Sequence, residues 1–195
     1  MTQTTETRAR PGYHEAVARF SIQDAMAALR GDLETGLNAC VECCDRHVGA
    51  NRVALRCLSP DEELSEYTFE DLRDLAARAA NVFHAQGIRP GDVIAGLLPR
   101  TVELVATVLG AWRLGAVYQP LFTAFGPKAI EHRLKTGGAK LVVTNSAQRP
   151  KLDEIEDCPP VALIRAGTDP LPAGDIDFNA ALAAAATGFE PVLRR

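Results

Sequence analysis

Apolar residues recur along this chain in two rhythms, a helical one and a short unbroken one, and each predicts its own kind of element. The helical rhythm comes first. In 13–29, "YHEAVARFSIQDAMAAL", Val17, Phe20, Met26 and Leu29 form a loose stripe among helix formers, and Ser21 followed by β-branched Ile22 predicts a break near the middle. In "LNACVECCDRHVG" (37–49) Leu37, Cys40, Val41, Cys44 and Val48 share one helical face, and Gly49 suits a left-handed stop. The segment "NRVALRCL" (51–58) alternates in part and is followed by the turn "SPDEE"; with a second short strand near 65–68 it predicts a β-hairpin. Thr68 then caps a helix whose first turn carries Glu70 and Asp71, where negative charge favours the positive end of the helix dipole. Leu72, Leu75, Ala76, Ala79, Val82 and Phe83 make its buried stripe, and Gly87 ends it.

Beyond the Pro-Gly turn of "IRPGD", short apolar runs without alternation take over. "VIAGLLP" (93–99), "AVYQPL", "AKLVVTN" and "PPVALIRAG" (159–167) read as strands covered on both faces. Between them lie two helices: "TVELVATVLGAWRLG" (101–115), with Leu104, Val105, Val108, Leu109 and Trp112 expected inward, and "PKAIEHRLKTGG", with Pro127 in its first turn. Both helices stop on glycine before an alanine enters the next strand. This alternation predicts an α/β fold, a mostly parallel doubly wound sheet flanked by helices, preceded by a helical segment and a short hairpin. The tail "DIDFNAALAAAATGFEPVLRR" starts a helix at an Asp cap, and its last residues carry no recognisable terminating signal. Residues 1–12 are polar, end in Pro11-Gly12 and are expected to be disordered within an amino-terminal extension spanning 1–36.

Composition narrows the classes. The net charge of −4 and the dispersed basic residues argue against nucleic-acid or anionic-membrane binding. "LVATVLGAW" (104–112), the longest apolar stretch, falls far short of the ~20 residues a spanning helix needs. The amino terminus has no apolar core of a secretory signal, and 5 cysteines at irregular spacing read as the free thiols of a cytoplasmic protein.

Candidate chemistry is sparse. Cys40, Cys43, Cys44 and His47 would share one face of a helix, yet a single rigid helix cannot wrap four ligands tetrahedrally around zinc, so these read as structural thiols and no metal ligands are assigned. Glu131 and His132, beside Arg133 and Lys135, read as a solvated charged face. No G-x-S-x-G, H-E-x-x-H or G-x-G-x-x-G is present, and no catalytic residue is assigned. One joint stands out: "QPLFTAFGP", after the strand "AVYQPL". Ligands of doubly wound sheets bind at the carboxyl ends of strands. Small Ala124 and Gly126 would let something approach the backbone there. Phe122 and Phe125 read equally as apolar walls or as plugs closing the core.

The succession "YTFEDL…GIRPGDVIAGLLP…LGAVYQPLFTAFGPKAI…KLVVTN" closely resembles the amino-terminal part of AMP-forming acyl-CoA synthetases, of the adenylate-forming superfamily, and "LFTAFGPKAI" looks most like the acetyl-CoA and medium-chain branch. The resemblance covers 37–195, read as the amino-terminal part of the AMP-binding domain. It implies condensation of a carboxylate, acetate or a short- to medium-chain acid, with ATP and coenzyme A in the presence of Mg²⁺, through an acyl-adenylate. It also implies that Ala124, Phe125 and Gly126 face the pantetheine arm of coenzyme A, and that Arg149 in "VVTNSAQRPK" grips a coenzyme A phosphate. The family's T-S-G-T-T-G-x-P-K-G loop would begin shortly after "FEPVLRR" and is not in the chain, nor is a carboxy-terminal domain. The expectation is a fragment that is catalytically incompetent alone, with a complementary carboxy-terminal fragment as its potential partner. A stand-alone interaction module and a small nucleotide-binding domain are the alternatives.

Overall fold

Strand order explains where a ligand could sit, and the order follows from where the crossovers go. The computed structural model describes residues 12–59 and 61–195. Two short helices, α1 (Tyr13–Arg19) and α2 (Ile22–Ala27), are separated where Ser21 caps α2 by accepting from the Asp24 N–H. The disorder expected for residues 1–12 falls outside the described residues except at Gly12, the N-cap of α1. Asn38 caps α3 (Ala39–Cys43), its carbonyl accepting from the N–H groups of Cys40 and Val41.

The helix expected over 37–49 is shorter than its periodicity. Backbone at Cys44 leaves the helical region (φ −128°, ψ −68°), and a single 3₁₀ turn, Asp45–His47, follows. The unwinding places the Asp45 carboxylate 2.7 Å from the Arg113 guanidinium, a long-range partner that helical periodicity does not anticipate. Cys40 and Cys44 are buried as small apolar groups, while Cys43 is exposed.

The hairpin pairs β1 (Val53–Leu58) with β2 (Leu64–Thr68). From it the chain enters α4 (Phe69–Ala85), opened by a reciprocal capping box: Thr68 accepts from the Asp71 N–H and Asp71 accepts from the Thr68 N–H. Then come β3 (Val93–Leu97), α5 (Val102–Arg113), β4 (Val117–Leu121), α6 (Pro127–Gly137), β5 (Ala139–Asn145), a 3₁₀ turn at Arg149–Leu152, β6 (Val161–Ile164), β7 (Ile176–Asp177) and α7 (Phe178–Ala184). Left-handed glycines close the two crossover helices, Gly115 (φ 75°) after α5 and Gly138 (φ 63°) after α6, as their positions suggest. Asp177 caps α7 by accepting from the Ala180 N–H.

The five strands β3–β7 are all parallel, in the order β4-β3-β5-β6-β7. One face packs α4, α5 and α7 around Phe83, Ile94, Leu141, Val143 and Phe178, with the Phe83 and Phe178 rings stacked at 5.8 Å. The other packs α6 and the 149–152 turn on Leu97, Leu121, Ile130, Leu134 and Val142. A third cluster joins α3, α4 and α5 to the hairpin through Cys40, Cys44, Leu72 and Leu109.

The inner face of α5 differs from the expected stripe. Leu109 is buried, but Leu104, Val105 and Trp112 are only half-buried, and the deepest positions include Ala106, Thr107, Gly110 and Ala111. Small residues face α4 because the two helices approach closely: a Cβ at Gly110 would lie 2.5 Å from Ala79 Cβ. The tail docks as well, which its sequence does not signal. Val192 N–H donates to the Arg113 carbonyl, Leu37 and Arg194 exchange both backbone bonds, and the Asn38 amide donates to Val192.

Candidate functional site

In this strand order β3 leads to β4 on one side while the chain returns from β4, over the opposite face, to β5 on the other. The carboxyl ends of β3 and β5 therefore flank the crevice where such sheets bind ligands. Four connections gather at this edge: 98–101, 122–126, 146–148 and 165–175.

The 122–126 joint resolves its two phenylalanines differently. Phe125 is half-buried against the second core cluster, and the Arg133 guanidinium lies over its ring at 4.0 Å. Phe122, 63% exposed, stands out into solvent 5.9 Å from it, centroid to centroid. One ring plugs the core and the other is free to be a wall. A backbone bond from Phe125 N–H to the Phe122 carbonyl tightens the turn, and the Lys151 ammonium donates to the Thr123 carbonyl. Gly126 is the N-cap of α6 in ordinary extended backbone (φ −80°, ψ 167°), so its conformation does not require glycine; what a side chain there would fill is open space, with no atom within 4 Å of an added Cβ. Ala124 and Gly126 are both exposed. The joint thus offers free room beside an apolar wall, which fits the approach of a slender, largely apolar arm.

Arg149 is placed otherwise. Its guanidinium is held by two carboxylates, Asp175 (2.6 Å) and Asp153 (2.6 Å), and hydrogen bonding to Asp175 raises its pKa against the opposing effect of burial. Two acids against one base leave the cluster net negative. The structure joins the Arg149 turn to the 122–126 joint through Lys151, and none of the four candidate residues lines the cavity beside Asn145 and Asp169 or the one beside Cys57 and Thr101. Two cavities at this edge were not singled out by sequence. One, of about 450 Å³, lies at the ends of β5 and β6 between Asn145, Ser146, Arg165 and Asp169. The Ser146 hydroxyl is buried without a partner, while Arg165 is paired with Asp177. The other, of about 650 Å³, separates the hairpin (Cys57, Tyr67) from Arg100 and Thr101 before α5. The only sequence signal for either is position: Ser146, Arg165 and Arg100 all follow a strand end.

A family model described as "AMP-binding enzyme" matches residues 44–189. The chain belongs to the AMP-binding enzyme family. Acetyl-coenzyme A synthetases from Bacillus subtilis (40% identical over 136 residues, 68% of this chain and 24% of that one) and Pseudoalteromonas translucida (36% over 116 residues, 58% and 18%) are among its relatives. A Brucella canis acyl-CoA synthetase of known structure is 64% identical, with a TM-score of 0.89 over 94% of this chain and 34% of that one. An anthranilate CoA ligase at 22% identity and TM-score 0.70 shares the fold. The chain therefore spans about a quarter or less of these curated relatives' length.

For an AMP-binding enzyme, the distribution of charge at this edge is informative. Among the described residues there is no group of three or more His, Cys, Asp or Glu placed to hold a metal ion. Glu131 pairs with Lys135 at 2.8 Å beside exposed His132, a solvated helix face. Arg165, a base beside the 450 Å³ cavity, is paired with Asp177, whose carboxyl is held low by the Ala180 N–H and by Arg165. Among the described residues no helix is long and apolar enough to cross a membrane.

Proposed function

We propose that this chain is the amino-terminal portion of the adenylate-forming domain of a cytoplasmic AMP-forming acyl-CoA synthetase, residues 37–195 belonging to the domain and 1–36 forming an extension. The complete enzyme would join acetate or a short- to medium-chain acid to coenzyme A, with ATP and Mg²⁺, releasing AMP and pyrophosphate. The observation that carries this reading is the 64% identity to the Brucella canis synthetase over nearly the whole chain at TM-score 0.89. The chain's own contribution is to binding. Coenzyme A supplies the thiol that takes the acyl group, and Phe122, Ala124 and Gly126 give its arm an apolar, unobstructed flank, with Phe125 as the base of that wall. Arg149 reaches a phosphate only if a carboxylate yields. Asp153, its side chain 66% exposed, is the one free to swing away, whereas Asp175, 5% exposed, stays.

By itself the chain would form no thioester. The test is a chimera in which residues 12–195 replace the matched third of the Brucella canis synthetase. ATP–pyrophosphate exchange and thioester formation with acetate, butyrate and octanoate are expected from the chimera and not from the 195-residue chain. Within the chimera, Gly126→Val should raise the KM for coenzyme A while leaving pyrophosphate exchange unchanged. Exchange by the short chain alone, or loss of exchange in Gly126→Val, would contradict the reading.

A further inference from the structure

Phe125 is held in two ways. Its side chain packs against the second core cluster, and the Arg133 guanidinium covers the ring at 4.0 Å from its centroid. That guanidinium is itself fixed. Its Nη1 donates to the Ala129 carbonyl at 3.0 Å, and the Arg133 backbone carbonyl accepts from the Gln119 amide on β4 at 2.9 Å. Here α6 lies tight on β4, since a Cβ at Gly137 would collide with the same amide. Among the described residues no carboxylate pairs with Arg133, in contrast to Arg149 with its two, so its charge is left for the ring face. The next residue along is the open one: an added Cβ at Gly126 would meet no atom within 4 Å, and Ala124 is exposed beside it. A phenylalanine side chain turns among staggered positions about its first bond. Only the position packed on the cluster brings the ring under Arg133; the others carry it off the cluster, to the side where Ala124 and Gly126 stand free.

We infer that Arg133 is a positioning residue for the use of coenzyme A, a role that rests on the functional reading above. Arg133 acts through Phe125: it holds that ring on the core, so the room beside Ala124 and Gly126 stays open to the arm. Phe122, whose carbonyl accepts from the Phe125 N–H, is then left as the outer wall. The division of labour between the two phenylalanines follows from which of them has a guanidinium over it.

The clamp is read first in the 195-residue chain, by nuclear magnetic resonance. The Phe125 ring protons of the native chain should show cross-relaxation to methyl groups of the second core cluster. In Arg133→Gln, neutral and too short to cover the ring, those contacts should fade and the ring signals should move toward those of exposed Phe122. Arg133→Lys, which keeps a cation on a flexible stem, should lie between the two. Ring contacts unchanged in Arg133→Gln would overturn the inference. The consequence is read in the chimera with the Brucella canis synthetase. There Arg133→Gln should raise the KM for coenzyme A about fivefold, the factor of one cation–π contact. Turnover at saturating coenzyme A should hold, as should ATP–pyrophosphate exchange, which consumes none. In a Phe125→Ala background the same substitution should leave KM where it is, because the ring through which Arg133 acts is gone. An equal rise in that background would mean direct contact with the coenzyme and would overturn the positioning role. So would an unchanged KM in an active chimera whose Phe125 is intact. A chimera that exchanges pyrophosphate yet forms no thioester at any coenzyme A concentration rejects the functional reading, and the role with it, while the ring contacts in the short chain stand apart from that result.

Discussion

Replacing Gly110 by alanine sets two well-characterised effects against each other. Gly110 lies inside α5, where alanine is favoured over glycine by about 1 kcal/mol. Its added Cβ, however, would meet Ala79 Cβ at 2.5 Å, Ala80 N at 3.1 Å and the Ala76 carbonyl oxygen at 3.2 Å. Comfortable carbon–carbon contact needs roughly 3.5–4 Å, so α4 must retreat by about 1 Å. Two of the three obstacles are backbone, and no side-chain rotation relieves them. Overpacking of this kind costs about 1–3 kcal/mol, and the rigid neighbours place it in the upper part of that range. The net expectation for Gly110→Ala is a loss of about 1–2 kcal/mol. At this chain length that lowers Tm by about 3–6 °C, measurable by circular dichroism or calorimetry. Ala79→Gly removes the nearest obstacle, so the double variant should recover at least about 1 kcal/mol relative to additivity. A rise in Tm for Gly110→Ala would mean that propensity wins and that α4 and α5 are not this close. Strict additivity with Ala79→Gly would reject the named contact.

The buried thiols predict an alkaline weakness. Burial pushes Cys40 and Cys44 up to about 12 from an ordinary 9.0, so they stay protonated where the unfolded chain has already lost those protons; the stabilisation present below pH 9 is lost as pH climbs toward 12, by up to ~1.4 kcal/mol per pH unit per thiol. Urea titrations across that window should show a steeper fall for the native chain than for a Cys40→Ala/Cys44→Ala variant, and parallel profiles would count against it. Arg113, its side chain only 8% exposed, pairs with Asp45 and donates to the Phe189 carbonyl, so Arg113→Met should cost about 3 kcal/mol in a denaturant titration, with Asp45→Asn less than additive on top of it. Additive losses would show that the pair is not coupled.

Legibility in the sequence tracked the range of the interactions involved. Thr68 as a cap and the stops at Gly115 and Gly138 act within a few residues, and all three could be read before any coordinates; that Asp71 bonds back to Thr68 is a finding of the structure. So could the unbroken apolar runs that became β3, β5 and β6. The two-residue β7 is too short to leave a pattern. On α5 the stripe reading assumed that large side chains mark the inner face; the close approach to α4 is made at Gly110 instead. Just past the early end of α3, Asp45 pairs with Arg113, 68 positions away, and no local pattern carries that information. At the candidate site the same division holds. That 122–126 lies at the carboxyl edge followed from strand polarity, and the room at Gly126 followed from residue size. That Asp175, 26 residues on, already occupies Arg149 did not.

Those same long-range bonds bear on how binding could depend on assembly. Asn38 donates to the carbonyls of Trp112, Arg113 and Val192, and Arg113 reaches Phe189 and Asp45, so two side chains tie the α3 segment, the end of α5 and the tail into one seam. The 122–126 joint and the Arg149 cluster lie beyond this seam, at the strand ends. Each is stiffened by a short local device: the Arg133 guanidinium on Phe125, the Lys151 bond to Thr123, and the Asp175 pair. Rigidity is therefore built in at the joint proposed to flank the coenzyme A arm, while the large apolar residues left open are spread from α1 and α2 through the hairpin to the tail. On the proposed reading, the edge that would flank coenzyme A is shaped by bonds within this chain alone.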